Sequence, residues 1–314
     1  MQTPLSISVV VVNWNAKDEL RRCLESLRAQ TDHDFETIVV DNGSVDDSLE
    51  MLKVEFPWVV VIDAAANLGF AEGCNRGIDE AKGSWVATLN NDAVASPTWI
   101  AELRAAIRDG DPRLGMVQSR IVFQQKPDRM NSTGILIYPN GVFIDRDYEH
   151  PTKADESREE IFCVSAGAAL YRRAMLDELR LGSGFFDRTF FMYFEDVDLG
   201  WRARLAGWSA LYVPRATVYH AFHGTSNRRG KHFVRLHCCK NRVRTMLKNA
   251  SLRYILGTTS RIVSELAWSA TQEGVKVLPA YWAAINDGLS QRSAVTRLVR
   301  ENRRAVELRW MANE

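Results

Sequence analysis

ISVVVVNWNAKDELRRCLESLRAQTDHDFETIVVDNGSVDDS, residues 7–48, decides how this chain folds. Its ends carry short β-branched runs, ISVVVV at 7–12 and TIVV at 37–40, and between them Leu20, Cys23, Leu24 and Leu27 fall at helical spacing. Strand, amphipathic helix, strand is the rhythm of a βαβ unit. The strands are apolar throughout rather than alternating, which implies a parallel sheet covered on both faces, with ligands bound at the edge where its strands end. The rhythm continues with a polar segment at 46–55, WVVVI at 58–62, a helix near 71–81, WVATL at 85–89 and a helix that Pro97 can open at its first turn.

From about 126 to 165 turn-forming and charged residues take over, with a hairpin expected around YPNG at 138–141, and this stretch reads as an insertion. A helix is expected at 195–206, ended by Gly207, and WSALYV at 208–213 reads as a further strand. Beyond 232 the chain reads as helical to its end, with Trp268, Trp282 and Trp310 interleaved with arginines. Helices packed on the body and an amphipathic surface lying on an anionic membrane both fit that pattern.

At 314 residues and 46% hydrophobic, the chain can bury a full core, and large-scale disorder is excluded. Its net charge of +1 conceals a polarity: residues 1–227 hold 23 Lys/Arg against 33 Asp/Glu, and 228–314 hold 17 against 6. A basic tail on an acidic body points to an anionic partner, a membrane surface or a nucleic acid. Cys23, Cys74, Cys163, Cys238 and Cys239 are odd in number and lack metal-binding spacing, so free thiols in a reducing compartment are expected. The N-terminus has no basic n-region or small-residue cleavage site and no apolar run approaches 18 residues, so neither signal-directed export nor a membrane span is expected.

Several short stretches could carry chemistry. Asp41 ends the second strand in VVDNGSVDDS, where its carboxylate can accept from a base or ribose, or it or Ser44 can cap a helix. NLGFAEGCNRG at 67–77 sets three glycines and two asparagines at a helix entry, a composition that suits a phosphate or sugar close to the backbone, or plain packing. In LNND at 89–92, Asn90 and Asp92 share one side of an extended chain and offer oxygen ligands to a hard divalent cation. FMYFEDVDLGWRARLAG at 191–207 opens a helix with Glu195, Asp196 and Asp198. The helix dipole and a surface bridge from Asp198 to Arg202 account for part of that pattern. Phe190, Phe191, Tyr193 and Phe194 would in addition dry the surroundings of Glu195 or Asp196, raising a carboxylate toward the proton affinity of a general base. His220 and His223, in YHAFHGTS, can ligate a cation or touch phosphate, and eight Lys/Arg with no acid at 228–248 can grip phosphates or form a solvated face.

In this order, VVNWN (11–15), VVDNGSVDDS (39–48), NLGFAEGCN (67–75), LNND (89–92), AGAALYRR (166–173), FEDVDLGWRARLAGW (194–208) and YH (219–220) resemble glycosyltransferase family 2, the inverting GT-A enzymes, over residues 5 to about 245. The NND form and the Glu-Asp helix resemble its rhamnosyltransferase-like branch, which builds bacterial surface polysaccharides. The resemblance implies an α/β GT-A fold, Rossmann-like, with a mixed sheet flanked by helices. The glycosyltransferase domain would be 1–230, its nucleotide half 1–125 and its acceptor half 126–230, followed by a basic helical region at 231–314.

The resemblance also implies roles. The nucleotide would lie against Asn13, Asn15, Asp41, Asn42, Ser44, Asn67, Gly69, Asn75 and Asn91. Asp92 and His220 would ligate Mg²⁺ or Mn²⁺, Ala166, Gly167 and Ala168 would underlie the donor sugar and acceptor, Glu195 would orient the acceptor, and Asp196 would be the catalytic base. The implied partners are a nucleotide-sugar, first of all dTDP-L-rhamnose and otherwise a UDP-sugar, and a saccharide or lipid-linked acceptor. Nucleic acid is not among them, and the expected location is the cytoplasm or the inner face of its membrane. Where many members carry Asp-x-Asp this chain has Asn90-Asn91-Asp92, a weaker metal site. A sugar nucleotidyltransferase would want a glycine-rich basic loop after the first strand, which VVNWNAKDEL lacks, and in a non-catalytic binding module the Glu-Asp helix would be merely a capped helix.

Overall fold

A computed structural model of the chain describes residues 6–108, 111–152, 157–221 and 230–312. Strands β1 (Ile7–Asn13), β2 (Phe35–Asp41), β3 (Val60–Asp63) and β4 (Trp85–Leu89) alternate with helices α1 (Lys17–Arg28), α2 (Ser48–Glu55) and α3 (Gly69–Glu80). Then come β5 (Ala93–Ala95), α4 (Trp99–Arg108), β6 (Leu114–Phe123), β7 (Met130–Ser132), β8 (Ile135–Ile137), β9 (Phe143–Asp145) and β10 (Glu159–Glu160). β11 (Ala168–Arg172), α5 (Arg173–Leu179), α6 (Glu195–Leu205) and β12 (Ser209–His220) follow, and α7 (Lys231–Asn249), α8 (Leu252–Glu273), α9 (Leu278–Leu298) and α10 (Arg303–Trp310) close the chain.

One mixed sheet in the order β10-β12-β6-β11-β4-β1-β2-β3 organises these elements, with β5 on β12 and β7 on β6. β3, β2, β1 and β4 run parallel, as the unbroken valine runs predict. Val9 and Val11 pack into the cluster with Leu20, Leu24 and Leu27 of α1 and Trp99 of α4, while Val10 packs oppositely with Cys74 and Ile78 of α3. Both faces of β1 are thereby buried, each such side chain contributing about 1.5–3 kcal/mol. Gly73 and Gly77 make the second contact possible: a Cβ on either would meet Val12 or Val10 of β1 at 2.7 or 2.3 Å. These two glycines serve helix-on-strand packing rather than a phosphate.

The sheet is mixed, as the resemblance implies, because β11 inserts antiparallel between β4 and β6. Some expectations read from the residues are corrected. The polar segment at 46–55 holds α2, and α4 begins at Trp99, just after Pro97. The strand expected at 208–213 continues to His220, passing Pro214 through a register shift between Val213 and Thr217, where a missing ladder donor is tolerated. The hairpin at 138–141 forms between β8 and β9, and it is not a detached insertion. Ile135, Ile137 and Phe162 join Val197 and Trp201 of α6, Met246 of α7, Tyr254 of α8 and Val306 of α10 in a third cluster.

Asp198 and Arg202 form no surface bridge. Both are 0% exposed, with Arg202 Nε 3.0 Å from Asp198 Oδ2 and its other nitrogens donating to the carbonyls of Leu179 and Phe185. Lys248 of α7, equally buried, reaches Asp198 at 3.0 Å and Asp187 at 2.7 Å, and Asn249 donates to Asp198 Oδ1. The helix that carries the Glu-Asp pair is therefore locked to a helix fifty residues downstream. Among the described residues no helix is long and apolar enough to cross a membrane.

Candidate active site

The parallel strands end in register, Asn13 opposite Asp41 and Asp41 opposite Asp63, so their polar termini form one row at the sheet edge. Asp41 is buried within that row, accepting from Asn13 Nδ2 at 3.0 Å and from the Ser44 amide at 2.7 Å. Asn13 Oδ1 accepts in turn from Asn91 Nδ2 at 2.8 Å. The carboxylate thereby orients both amides, and Asn13, Asn42, Asn67, Gly69, Asn91 and Asp92 face a cleft of about 1020 Å³. Gly69 has φ +82° and a Cβ there would lie 2.4 Å from the Phe191 carbonyl oxygen, so only glycine lets the aromatic loop close over this wall.

Asp92 and His220 sit side by side, Oδ1 to Nε2 3.0 Å. Asn131 Oδ1 lies 2.8 Å from His220 Nδ1, and an amide oxygen can only accept, so in that pairing Nδ1 donates and Nε2, beside Asp92, accepts from Asn90 Nδ2 at 3.1 Å. One carboxylate oxygen and one ring nitrogen suit a divalent cation that completes its shell with phosphate oxygens. Among the described residues no group of three His, Cys, Asp or Glu forms a fuller cage.

Across the cleft, the loop before α6 delivers the two acids. Phe191, Tyr193 and Phe194 all have left-handed φ of 66°, 68° and 71°, a strain of about 1–3 kcal/mol each that surrounding contacts must hold. Asp196 Oδ2 accepts from the Ala166 amide at 3.0 Å and Oδ1 from the Val197 amide at 2.8 Å. The Ala166 carbonyl accepts from Thr88, and the Gly167 carbonyl accepts from the Asn90 amide, so one short loop ties the Asp196 side to the Asp92 side. Glu195 is 5% exposed, and its Oε2 has no hydrogen-bond partner. Burial, with the neighbouring Asp196 charge, pushes the Glu195 carboxyl well above the usual carboxylate range. Burial also raises Asp196, against the amides that favour its charge. Two adjacent acids of raised proton affinity in a dried wall suit general-base work.

A model of the family described as glycosyl transferase family 2 matches residues 8–180, more than half of the chain. The chain belongs to glycosyl transferase family 2. The N-acetylglucosaminyl-diphospho-decaprenol L-rhamnosyltransferase of Mycobacterium tuberculosis is 30% identical over 258 residues, 74% of this chain and 81% of that protein. Of solved structures, GalNAc-T7 with UDP, GalNAc and Mn²⁺ matches at a TM-score of 0.63 and 18% identity, over 83% of this chain and 51% of the other. The mannosyltransferase PcManGT from Pyrobaculum calidifontis, with GDP-Man and Mn²⁺, matches at 0.54 and 16%, over 97% and 87%. The fold is GT-A, and the protein is a glycosyltransferase.

In this family 2 glycosyltransferase the cleft brings Asn13, Asn42, Asn67, Gly69, Asn91, Asp92, Ala166, Gly167, Glu195, Asp196 and His220 together. Asn15, Asp41 and Ser44 stand behind its wall, where Ser44 Oγ accepts from the Asn15 amide. Ala168 is buried inside β11. Asn75 points elsewhere: its amide donates to the Phe186 carbonyl and accepts from the Phe186 amide, holding a loop rather than facing the cleft. His223 lies outside the described residues. The cleft also contains residues that the motif reading passed over, Asn131, Asp145 and Cys238. Burial, with the Asp196 charge adding to it, pushes Asp145 up to about 6 against a hydrogen bond from Ser132. A hairpin strand three residues long gives no periodic signal that could have singled Asp145 out.

Proposed function

We propose that the protein is an inverting glycosyltransferase that moves a sugar from a nucleotide-sugar, first of all L-rhamnose from dTDP-L-rhamnose and otherwise a UDP-sugar, to a saccharide or lipid-linked saccharide of the bacterial envelope. One observation carries it: Asp196, dried and held by the Ala166 amide, faces across a single cleft the Asp92–His220 pair and its amide-lined wall. The nucleotide lies along Asn13, Asn42, Asn67 and Asn91, with Asp41 behind fixing their orientation. Asp196 takes the acceptor hydroxyl's proton as that oxygen bonds to the anomeric carbon. The carbon–oxygen bond to the diphosphate breaks in line, its electron pair leaves with the diphosphate, and configuration inverts. Mg²⁺ or Mn²⁺ held by Asp92 and His220 would neutralise the departing charge. The rhamnosyl donor and lipid-linked acceptor are supported by the name of the Mycobacterium tuberculosis relative, and the cation by the Mn²⁺ in both structural neighbours. The basic C-terminal helices, with their exposed apolar residues, support a peripheral seat on the anionic cytoplasmic face of the membrane.

The test is a panel of nucleotide-sugars with and without Mg²⁺ or Mn²⁺, read as released nucleoside diphosphate, for wild type and Asp196→Asn. Asp196→Asn should bind nucleotide and melt as wild type but turn over about 10² to 10⁴ times more slowly. A variant that melts early yet transfers at more than about a tenth of the wild-type rate would show Asp196 to be a helix-terminal residue only.

A further inference from the structure

We infer that Asn241, in the middle of α7, is a positioning residue for sugar transfer: its side-chain amide clasps the strained loop that presents Glu195 and Asp196. Asn241 is buried, and its Nδ2 lies 3.0 Å from the Phe190 carbonyl oxygen and 2.9 Å from those of Met192 and Tyr193. Two N–H bonds thus serve three consecutive-turn carbonyls, one of them shared. The amide cannot be turned round, because Oδ1 accepts from Arg244 Nη1 at 2.7 Å and a reversed amide would aim its oxygen at three others. Arg244 is itself held by Asp287 of α9 at 2.8 Å.

The clasped segment is the one whose aromatic residues have left-handed backbone. Such a conformation persists only where its surroundings over-determine it. α7 supplies more than one such contact: the Phe191 ring packs on Phe233 and His237, and Lys248 anchors Asp187 at the loop's start and Asp198 in the helix that follows. Between these anchors Asn241 binds the loop's backbone. The Phe191 carbonyl also accepts from the Ala71 amide of α3, so the same loop touches the nucleotide wall. A helix read from sequence as part of a basic tail thereby sets the geometry of the reacting pair.

The inference rests on Asp196 as base, and the test separates the two. Asn241→Ala and the isosteric Asn241→Asp are compared with Val295→Ala, a core truncation in the same helical layer, and with Asp196→Asn. In both Asn241 variants, amide exchange over 188–197 should accelerate about tenfold. In the same variants kcat should fall roughly 100-fold, the cost of an ångström of misplacement, with nucleoside diphosphate affinity held within about threefold. The acid limb of the kcat profile should move down toward the ordinary carboxylate range as water reaches the acids, a change that plain loss of stability does not produce. Val295→Ala should show none of this at a comparable melting temperature. Unchanged exchange in the loop, kcat within about threefold of wild type in folded Asn241→Ala, or an equal loss in Val295→Ala overturns the inference. An inert Asp196→Asn beside a fully active Asn241→Ala overturns it alone, whereas a fully active Asp196→Asn removes the base assignment and the inference with it.

Discussion

Glu195 keeps a buried carboxyl oxygen without a hydrogen-bond partner beside a second acid, an arrangement that costs stability for the sake of the cleft. Its folded proton affinity lies above its unfolded one. Between ordinary carboxylate pH and that raised value the folded state therefore binds more protons, and stability falls as pH rises through the window. Glu195→Gln removes the ionisation and keeps the shape. Its melting temperature should match wild type at ordinary carboxylate pH and exceed it increasingly as pH rises above that range, read from parallel thermal melts. A constant difference across pH would mean that Glu195 is not held protonated. Asp145, raised to about 6 by burial, acts in the same sense, and Glu195→Gln leaves its contribution in place.

α6 and α7 share their charges: Lys248, Asp187, Asp198 and Arg202 all have fully buried side chains. Burial raises Asp187, but the Lys248 charge and hydrogen bonds from Lys248 and Thr189 outweigh it and hold the carboxyl below the usual range. Lys248→Met leaves that carboxylate buried and unpaired and should destabilise by about 3–5 kcal/mol, measured as a lowered urea midpoint at unchanged slope. Wild-type stability from this carboxylate is present above its unfolded pKa and is lost as pH falls below it. None of this was legible in DVDLGWR, because the partner that turns a surface pair into a buried network arrives from another helix. The local signals were sound where contacts are local: Leu20, Leu24 and Leu27 marked α1, Gly207 with φ +78° ended α6, and LNND with the Glu-Asp helix marked two sides of the cleft. They failed where distant pairing decides, as with antiparallel β11, β12 beyond Pro214, and Asn75, whose amide is taken by Phe186.

At the scale of the whole molecule, exposed apolar side chains gather on α8 and α9. Leu252, Leu256 and Val263 recur at four- and seven-residue spacing along one helix and Leu278, Trp282 and Leu289 along the next, with Trp282 66% exposed. Trp268, on another face of α8, lies under Arg235, which lines the cleft. The protein should sediment with anionic vesicles in low salt and release as screening shortens toward about 8 Å near physiological ionic strength. Leu278→Ser with Trp282→Ser should weaken this while leaving transfer to a soluble acceptor intact. Equal sedimentation with neutral and anionic vesicles would argue for packing alone. The row of strand ends carries a last consequence, for the gene. A valine run buried on both faces looks nearly the same after a one-residue slip, so the core hardly records its own register and the terminal Asn13 and Asp41 do. An inserted codon within Ile7–Asn13 would therefore leave a chain whose terminal Asn13 amide is turned away from Asn91.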